Sequence, residues 1–354
     1  MRACVLRAPG TLEQVEVVDV PAPDRAPGPG TVRVALKAAA LNHLDLFVVR
    51  GLREAATAPH ILGADGAGVV DAVGAGVTAV APGDRVMLNP GIADGTCTYC
   101  RAGEQSLCTS FRLLGEQLPG TFAEAIAVPA RNVVRLPTLT PPLSWAEAAA
   151  FSLTHLTAWR MLMTRARLAS GETVLIWGIG GGVAQAALGI AKLAQARVVV
   201  TSSSDAKLEQ ARARGADHGV NHRTQPVAAE VRRLTGGLGV DVVVDSIGAA
   251  TWAESLRALR KGGRLVTCGA TSGPDVSTDL RRLFWHQFSI LGSTMGNDAE
   301  YQAVVAALAR GHLRPTIDRI LPLAHARAAL ERLEQGLQLG KVVLAIQESG
   351  GAEL

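Results

Sequence analysis

The sequence predicts an α/β protein in which a β-rich first part precedes a doubly wound parallel sheet. The first observation is an apolar strand at 173–177, a run of glycines, a helix at 183–195 and a second apolar strand at 197–201. This order makes a βαβ unit, whose parallel strands are buried on both faces. The second observation is that strands and helices alternate after this unit, whereas strand-like runs cut by Gly and Pro precede it.

The remaining elements follow in order. In the first 150 residues the strands are predicted at 32–40, 66–73 and 85–88. Further strands are predicted at 219–220, 240–245, 264–268, 288–291 and 342–346. Helices are predicted at 205–214, 227–234, 251–259 and 298–309, with another between 320 and 346. About six strands in the second part match the size of a doubly wound sheet. The polar residues 348–354 predict a frayed tail.

Composition and charge exclude several classes of protein. The chain has 354 residues, too many for one small core, so two domains are expected. The net charge of +4 arises from scattered basic residues, without the basic stripe of a nucleic-acid binder. No apolar run is long enough to span a bilayer, and residues 1–8, with two arginines, predict a strand rather than a signal peptide. We therefore expect no nucleic-acid and no membrane partner.

The glycine turn after the first buried strand predicts a dinucleotide site. Without side chains the turn lets a ligand approach the backbone, and the following helix offers free N–H groups to a diphosphate. A merely structural turn is the alternative, but the strand–turn–helix context favours a dinucleotide. The residues assigned to it are Gly178, Gly180, Gly181, Gly182 and Val183.

The end of the second strand predicts which dinucleotide binds. Enzymes that prefer NAD place a carboxylate there, and residues 201–204 contain none. A 2′-phosphate instead accepts hydrogen bonds from hydroxyls and attracts cations. We expect NADPH, with NADH less favoured, although Lys207 has an ordinary solvated helix position as its alternative. The candidate residues are Ser202, Ser203, Ser204, Lys207, His222 and Arg223.

The order of motifs resembles the medium-chain dehydrogenase/reductase superfamily. The motifs are residues 63–77, 82–86, the glycine turn, 262–269 and 340–344. Within that superfamily the chain is similar to the quinone reductase branch, with some features of zinc-type alcohol dehydrogenases. The resemblance implies a GroES-like catalytic domain over 1–153 and 292–354, a Rossmann domain over 154–291, and an active site in the cleft between them. It also implies a homodimer or homotetramer, paired through the edge strand near 288–294.

The resemblance adds further cofactor residues. Lys341 matches the basic residue that reaches the cofactor diphosphate in the family. Two short segments follow strand ends near the expected nicotinamide position, and plain turn structure is their alternative. These segments are Gly269, Ala270 and Thr271, and Leu291, Gly292 and Ser293.

The catalytic zinc of the zinc-type enzymes is not expected. By resemblance its ligand positions hold Asn42, Ala64 and Leu153, none of which supplies a thiolate, imidazole or carboxylate. The hydroxyl and imidazole of the proton relay are replaced as well, by Leu44 and Phe47. A substitute metal site is the alternative, and its candidates are His43, Asp45, His60 and Asp65.

Other side chains of the expected cleft predict a different chemistry. Asn42 and Asp45 resemble the Asn-x-x-Asp stretch of the quinone reductases, and Thr157 matches the family threonine beside the nicotinamide. The Asn42 amide can donate to a substrate oxygen, and His43 can donate a proton, unless His43 and Asp45 form only a structural pair.

The substrate class follows from the missing metal. Hydride transfer to a plain ketone leaves an alkoxide that nothing stabilises, whereas a quinone or α,β-unsaturated carbonyl spreads the charge. We therefore predict an NADPH-dependent reductase of small-molecule quinones or enones without catalytic zinc. A zinc-type alcohol dehydrogenase and a low-turnover NADPH-binding sensor protein are the alternatives.

The cysteines predict a second, structural metal site. Five cysteines are too few for a disulfide scaffold, which favours a reducing, cytoplasmic compartment. Asp94, Cys97, Cys100 and Cys108 resemble the structural-zinc lobe of the zinc-type enzymes, with Asp94 in place of the first Cys. A degenerated loop of reduced thiols is the alternative.

Overall fold

The computed structural model describes residues 1–52 and 58–346, so the predicted tail at 348–354 lies outside the described residues. The chain divides into a first unit, residues 1–153 and 297–354, and a second unit, residues 154–296. The second unit ends slightly later than the predicted residue 291. Residues 292–296 stay with it because the Ser293 N–H donates to the Thr267 carbonyl at 2.9 Å and the Thr157 hydroxyl lies 3.7 Å from the Met295 sulfur.

The strands and helices have the following bounds. The strands in chain order are β1 (Arg2–Leu6), β2 (Val15–Asp19), β3 (Thr31–Ala40), β4 (His60–Ile61), β5 (Asp65–Val73), β6 (Arg85–Leu88), β7 (Gly91–Ile92), β8 (Arg112–Leu113), β9 (Ala125–Pro129), β10 (Val133–Arg135), β11 (Thr173–Ile176), β12 (Arg197–Ser202), β13 (His218–Asn221), β14 (Val240–Asp245), β15 (Leu259–Thr267), β16 (Ser289–Gly292), β17 (Ile317–Pro322) and β18 (Lys341–Ala345). The α-helices are α1 (His43–Val49), α2 (Thr98–Arg101), α3 (Trp145–Ala149), α4 (Ser152–Trp159), α5 (Gly182–Leu193), α6 (Asp205–Ala213), α7 (Val227–Leu234), α8 (Trp252–Ala258), α9 (Leu280–His286), α10 (Asp298–Ala309) and α11 (Ala326–Glu334).

The first unit is built on a sheet in the order β10-β6-β5-β3-β18-β17, with β9 also paired to β3. Side chains of β3 alternate between buried and half-exposed, so Val32, Val34 and Leu36 enter the core. β18 pairs antiparallel with β3, and Leu344 opposes Ala39. Gly68 allows β5 to approach β3, because a Cβ there would lie 2.1 Å from the Ala35 carbonyl oxygen. The smaller sheets are β2-β1-β4 and β7-β8.

The second unit is the predicted doubly wound sheet. Its six parallel strands lie in the order β13-β12-β11-β14-β15-β16, with the glycine turn following the central strand. Val174 pairs with Val198 on one side and Val242 on the other, and all three are fully buried. Continuous apolar strands of this kind are buried by helices on both faces.

Several elements of the second unit differ from the prediction, and α4, which lies mostly in this unit, has no predicted counterpart. β15 begins at Leu259 rather than at 264, because Leu259 pairs with Val240 before a bulge in the ladder. Helix α9 was not predicted. It has no buried residue, so the apolar periodicity that indicates a helix is missing.

Within the described ranges, no helix combines the length and apolar character needed to cross a membrane.

Candidate active site and metal centre

The glycine turn is fastened to the end of the neighbouring strand. Gly178 has φ +64°, and a Cβ there would lie 3.2 Å from the Cδ1 atom of Ile247. Its N–H donates to the Thr201 hydroxyl at 3.1 Å, and the Ile179 N–H donates to the Thr201 carbonyl at 2.9 Å. The turn is therefore held in one conformation by β12 before any ligand binds.

Helix α5 begins directly after this turn. Its N-cap is Gly181, and no side chain in the described part of the chain caps the helix at that residue. The first N–H groups of a helix lack intrahelical acceptors, and an uncapped start leaves them for an anion. The residues assigned to the diphosphate are all only partly buried: Gly178, Gly180, Gly181, Gly182 and Val183.

A buried donor lies immediately before the turn. The Trp177 indole Nε1–H is buried and has no hydrogen-bond partner among the described residues. Its ring centroid lies 6.2 Å from that of His222, which belongs to the predicted cofactor set. Burial and the neighbouring Arg223 lower the pKa of His222, so its imidazole is neutral around pH 7.

The remaining candidates for the adenosine end lie at the carboxyl ends of β12 and β13. Ser202 pairs with Asn221 in this ladder, which brings the two predicted groups of residues together. The Ser202 hydroxyl accepts the Ser204 N–H at 3.1 Å, and the Ser204 hydroxyl caps α6 by accepting the Lys207 N–H at 3.4 Å. Exposed side chains at this edge are Ser203, His222 and Arg223.

The segments predicted near the nicotinamide lie just after β15 and at the end of β16, at the carboxyl ends of the strands where the glycine turn also lies. The Thr271 N–H donates to the Ser246 carbonyl at 3.4 Å, and Gly269 lies close to the same residue. The Ser293 hydroxyl is buried and unpartnered within the described ranges. The predicted residues here are Gly269, Ala270, Thr271, Leu291, Gly292 and Ser293. Thr157, in the same unit, is 5% exposed, with its hydroxyl near the Met295 sulfur.

A buried polar network occupies the end of β3 in the first unit. The Lys341 ammonium donates to Asn42 Oδ1 at 2.5 Å and to Asp65 Oδ2 at 3.1 Å. The Asn42 amide nitrogen donates to Asp65 Oδ2 at 2.9 Å and to the Ala40 carbonyl at 3.4 Å. Asp65 Oδ1 accepts the Leu153 N–H at 2.9 Å. Asn42, Asp65 and Lys341 are 6%, 0% and 3% exposed, so the network is fully internal.

Two residues of this network carry predicted roles, which stay predictions. Lys341, predicted to reach the cofactor diphosphate, is bound in the first unit by Asn42 and Asp65. The Asn42 amide, predicted to donate to a substrate, donates here to protein oxygens. Both side chains are therefore held rigidly by their neighbours.

Asp45 and His43 lie in helix α1, beside this network. Asp45 is fully buried; its Oδ2 accepts the Asn42 N–H at 2.7 Å, and its Oδ1 has no partner among the described residues. Burial raises the pKa of Asp45 to about 7. Burial and Arg50 lower the pKa of His43, whose ring packs edge-on against Phe47 at 5.1 Å. His43 and Asp45 thus do not form the structural pair considered as an alternative.

The predicted metal lobe does bring its ligands together. The ligand atoms of Asp94, Cys97, Cys100 and Cys108 lie within 4.8 Å of one another. A tetrahedral zinc with bonds of about 2.0–2.3 Å requires ligand atoms roughly 3.3–3.8 Å apart, so the four side chains fit zinc after a small contraction. No other metal-ligand cluster, including one of His43, Asp45, His60 and Asp65, exists in the described part of the chain.

Local hydrogen bonds orient the lobe. Asp94 Oδ1 accepts the N–H groups of Thr96 and Cys97 at 2.6 and 2.8 Å, which holds the pKa of Asp94 well below its usual range. Backbone N–H groups of Cys100 and Thr109 lower the pKa of Cys97 to about 7, whereas burial raises that of Cys100 to about 12. Zinc binds thiolates, so loading this site releases protons.

Two family models match the chain. The alcohol dehydrogenase GroES-like domain matches residues 28–138, within the first unit. The zinc-binding dehydrogenase model matches residues 182–310, and this match begins at the start of helix α5. Together they confirm a GroES-like domain combined with a Rossmann-type domain.

Related proteins match over nearly the whole length. The NAD-dependent alcohol dehydrogenase of Saccharolobus solfataricus is 31% identical, covering 97% of this chain and 99% of that protein. The acryloyl-coenzyme A reductase of Metallosphaera sedula is 32% identical, with 97% and 99% coverage. A crystal structure of an NAD-dependent alcohol dehydrogenase is 45% identical, with a TM-score of 0.94 and coverage of 98% and 100%.

Proposed function

The chain belongs to the zinc-type alcohol dehydrogenase-like branch of the medium-chain dehydrogenase/reductase superfamily, and from that premise we propose its reaction. It is an oxidoreductase that uses a nicotinamide cofactor. We propose that it takes NADPH and transfers hydride to a quinone or an α,β-unsaturated carbonyl compound, without a catalytic zinc.

The observation that supports this proposal is the contact between Lys341 and Asn42. Resemblance places the first catalytic-zinc ligand at Asn42, and its amide oxygen accepts from an ammonium 2.5 Å away. A positive charge at that distance opposes a divalent cation on the same oxygen. Ala64 and Leu153, at the other two ligand positions, offer no donor side chain. The residues present therefore do not fit a catalytic zinc.

The chain's own residues have two tasks in this reaction. A reduced nicotinamide would supply the hydride. The glycine turn and the start of α5 would hold its diphosphate, and Thr157 would pack beside its ring. A conjugated acceptor spreads the charge it receives, so a hydrogen bond to its oxygen and a proton from water complete the reduction. We assign that hydrogen bond to His43, whose neutral imidazole carries one N–H.

The related proteins support different finer assignments. The Metallosphaera reductase is named for acryloyl-coenzyme A, and an acryloyl group is a conjugated carbonyl of the proposed class. The Saccharolobus enzyme is named as an NAD-dependent alcohol dehydrogenase, which favours the runner-up, alcohol oxidation with NAD⁺. The absence of a carboxylate at 201–204 and the exposed Arg223 support NADPH over NADH.

We further propose a structural zinc on Asp94, Cys97, Cys100 and Cys108, because their ligand atoms already lie together.

A homodimer or homotetramer in the cytoplasm completes the proposal. The oligomer is supported by β16, which pairs only with β15 within the described residues, and by three exposed apolar side chains of α9. Those side chains are Leu280, Phe284 and Trp285.

Steady-state oxidation of NADPH with a simple quinone, a small enone and a saturated ketone tests the reaction. We expect turnover with the first two and at least about 100-fold less kcat/KM with the ketone. His43→Leu should lower kcat for the enone by about 10²-fold or more, whereas the exposed His312→Leu should not change it. Preferred oxidation of a secondary alcohol with NAD⁺ would replace the proposal with the runner-up, and cofactor binding without turnover would favour a sensor protein.

A further inference from the structure

A basic pocket lies at the amino ends of the parallel strands in the sheet of the second unit. Its volume is about 840 Å³, within the range of small-molecule sites. Residues at the starts of β11, β12, β14 and β15 line it, together with the ends of α7 and α9. The glycine turn follows the carboxyl end of β11, so this pocket and the predicted cofactor site lie at opposite ends of the parallel strands.

Positive charge dominates the lining. The cationic side chains are Arg197, Arg232, Arg260, Lys261 and Arg282. Asp241 is the one carboxylate among the lining residues, all of which belong to the described part of the chain. Asp241 is already fully engaged, because it accepts from the Arg260 guanidinium and from the Thr173 N–H at 2.7 Å. It therefore neutralises one cation and leaves four.

Two of these cations form structural contacts that do not neutralise their positive charge. Arg232 donates to the carbonyls of Gly237 and Arg257, both at 3.0 Å, which stabilises the end of α7. Arg197 lies 2.8 Å from the imidazole of His218. Neither contact involves a carboxylate, so both guanidinium groups still present positive charge to the pocket.

The other two cations have no structural role of this kind. Lys261 and Arg282 form no ion pair within the described ranges, and the Arg282 Nε–H is buried without a hydrogen-bond partner. A buried unpartnered donor costs free energy unless a ligand satisfies it. Burial, followed by the charges of Arg282, Lys261 and Arg232, lowers the pKa of His286, so these three cations lie close enough to act on the same imidazole.

The pocket wall also offers an aromatic surface. The rings of His286 and Phe288 are stacked, with centroids 5.3 Å apart and an interplanar angle of 20°. Leu238 on the glycine-rich loop between α7 and β14 is 71% exposed. Such a surface suits the planar or apolar body of a phosphate ester, while the cations suit its phosphates.

We propose that this pocket is a second ligand site, which binds a multiply charged phosphate ester through Lys261 and Arg282. The site is separate from the proposed cofactor site and does not depend on the proposed reaction. Its ligand neutralises the four unpaired cations and accepts the buried Arg282 N–H.

Calorimetric titration of the full chain with inorganic tripolyphosphate tests the site, without added nucleotide because NADPH is itself a phosphate ester. The variants below lie away from the glycine turn, so they separate this binding from any binding at the turn. We expect a binding event that weakens as salt is raised. The double variant Lys261→Gln, Arg282→Gln should weaken it by about tenfold or more. The matched control is Arg281→Gln on the same helix, whose side chain is 88% exposed, and it should leave binding unchanged.

Three results would overturn the proposal: no saturable binding, equal weakening by the control variant, or undiminished binding by the double variant. Because Lys261 is exposed, Lys261→Gln alone keeps the test valid if the double variant does not fold. The single variant should weaken binding by several-fold, and unchanged affinity would also contradict the proposal.

Discussion

The Nζ atom of Lys341 lies 2.5 Å from Oδ1 of Asn42, although 299 positions separate the two residues in the chain. Strand pairing creates this contact. β18, which begins at Lys341, pairs with the end of β3, and the Leu41 N–H donates to the Val342 carbonyl at 2.9 Å. Asp65 joins them because it pairs with Ala40 across β3 and β5. The network therefore couples three strands of the first unit.

Removing the ammonium should destabilise the first unit strongly. Lys341→Met leaves the fully buried Asp65 carboxylate without its cation, and such changes typically cost about 3–5 kcal/mol. Urea denaturation of the wild type and the variant measures the difference. The control is Arg50→Met, which breaks the half-exposed pair with Glu334 and should cost about 0–1 kcal/mol. Equal losses in the two variants would contradict the importance of the buried network.

Asp45 should make stability fall as the pH rises. Its pKa is about 7 in the folded chain and close to 3.8 when exposed, so between these values the folded state holds a proton that the unfolded state has lost. Its contribution is complete below pH 4 and is lost as the pH approaches 7, by up to about 1.4 kcal/mol per pH unit. Asp45→Asn should remove this slope, which denaturation at pH 5 and pH 8 would reveal. An unchanged slope would show that Asp45 stays ionised when folded.

The metal lobe should bind one zinc per chain. Metal analysis of Cys100→Ser should show that this zinc is lost, and the thermal midpoint should fall because a structural zinc contributes to folding. Cys268→Ser, in the second unit, should retain the metal. Wild-type protein purified with zinc present yet lacking the metal would favour a degenerated loop of reduced thiols.

Arg223 should distinguish the two cofactors. Its side chain is exposed beside the end of β12, where a 2′-phosphate would lie. Arg223→Ala should weaken NADPH binding by about tenfold and leave NADH binding nearly unchanged, as fluorescence titration can measure. Arg212→Ala, which removes an exposed arginine paired with Glu209 on α6, is the control. Equal weakening of both cofactors would contradict the assigned role.

Much of the fold follows from local sequence. The strands of the parallel sheet are continuous apolar runs, and helices α7 and α10 lie at their predicted positions. The sequence predicts β15 only from 264, because its earlier residues include Lys261 and two glycines that are typical of a loop. Helix α9 depends on its Asp279 cap, whose carboxylate accepts the Arg281 N–H, rather than on a buried face.

The two kinds of site differ in how far sequence can predict them. The metal lobe is local in sequence. Asp94 and Cys108 lie fourteen positions apart, so the spacing of these residues alone identifies them as candidate zinc ligands. The contact of Lys341 with Asn42 depends on strand register, which a single sequence does not specify. The same holds for the basic pocket, whose cations come from the starts of strands and the ends of helices that are far apart in sequence.

The most direct test of the central claim counts zinc in protein that is actively reducing an enone with NADPH. The account predicts one zinc per chain, and it predicts that Cys100→Ser protein that remains folded still reduces the enone without any zinc. A second zinc per chain would contradict the account under three conditions. Removing that zinc abolishes hydride transfer, restoring the zinc recovers the activity, and Asn42→Ala prevents the second zinc from binding.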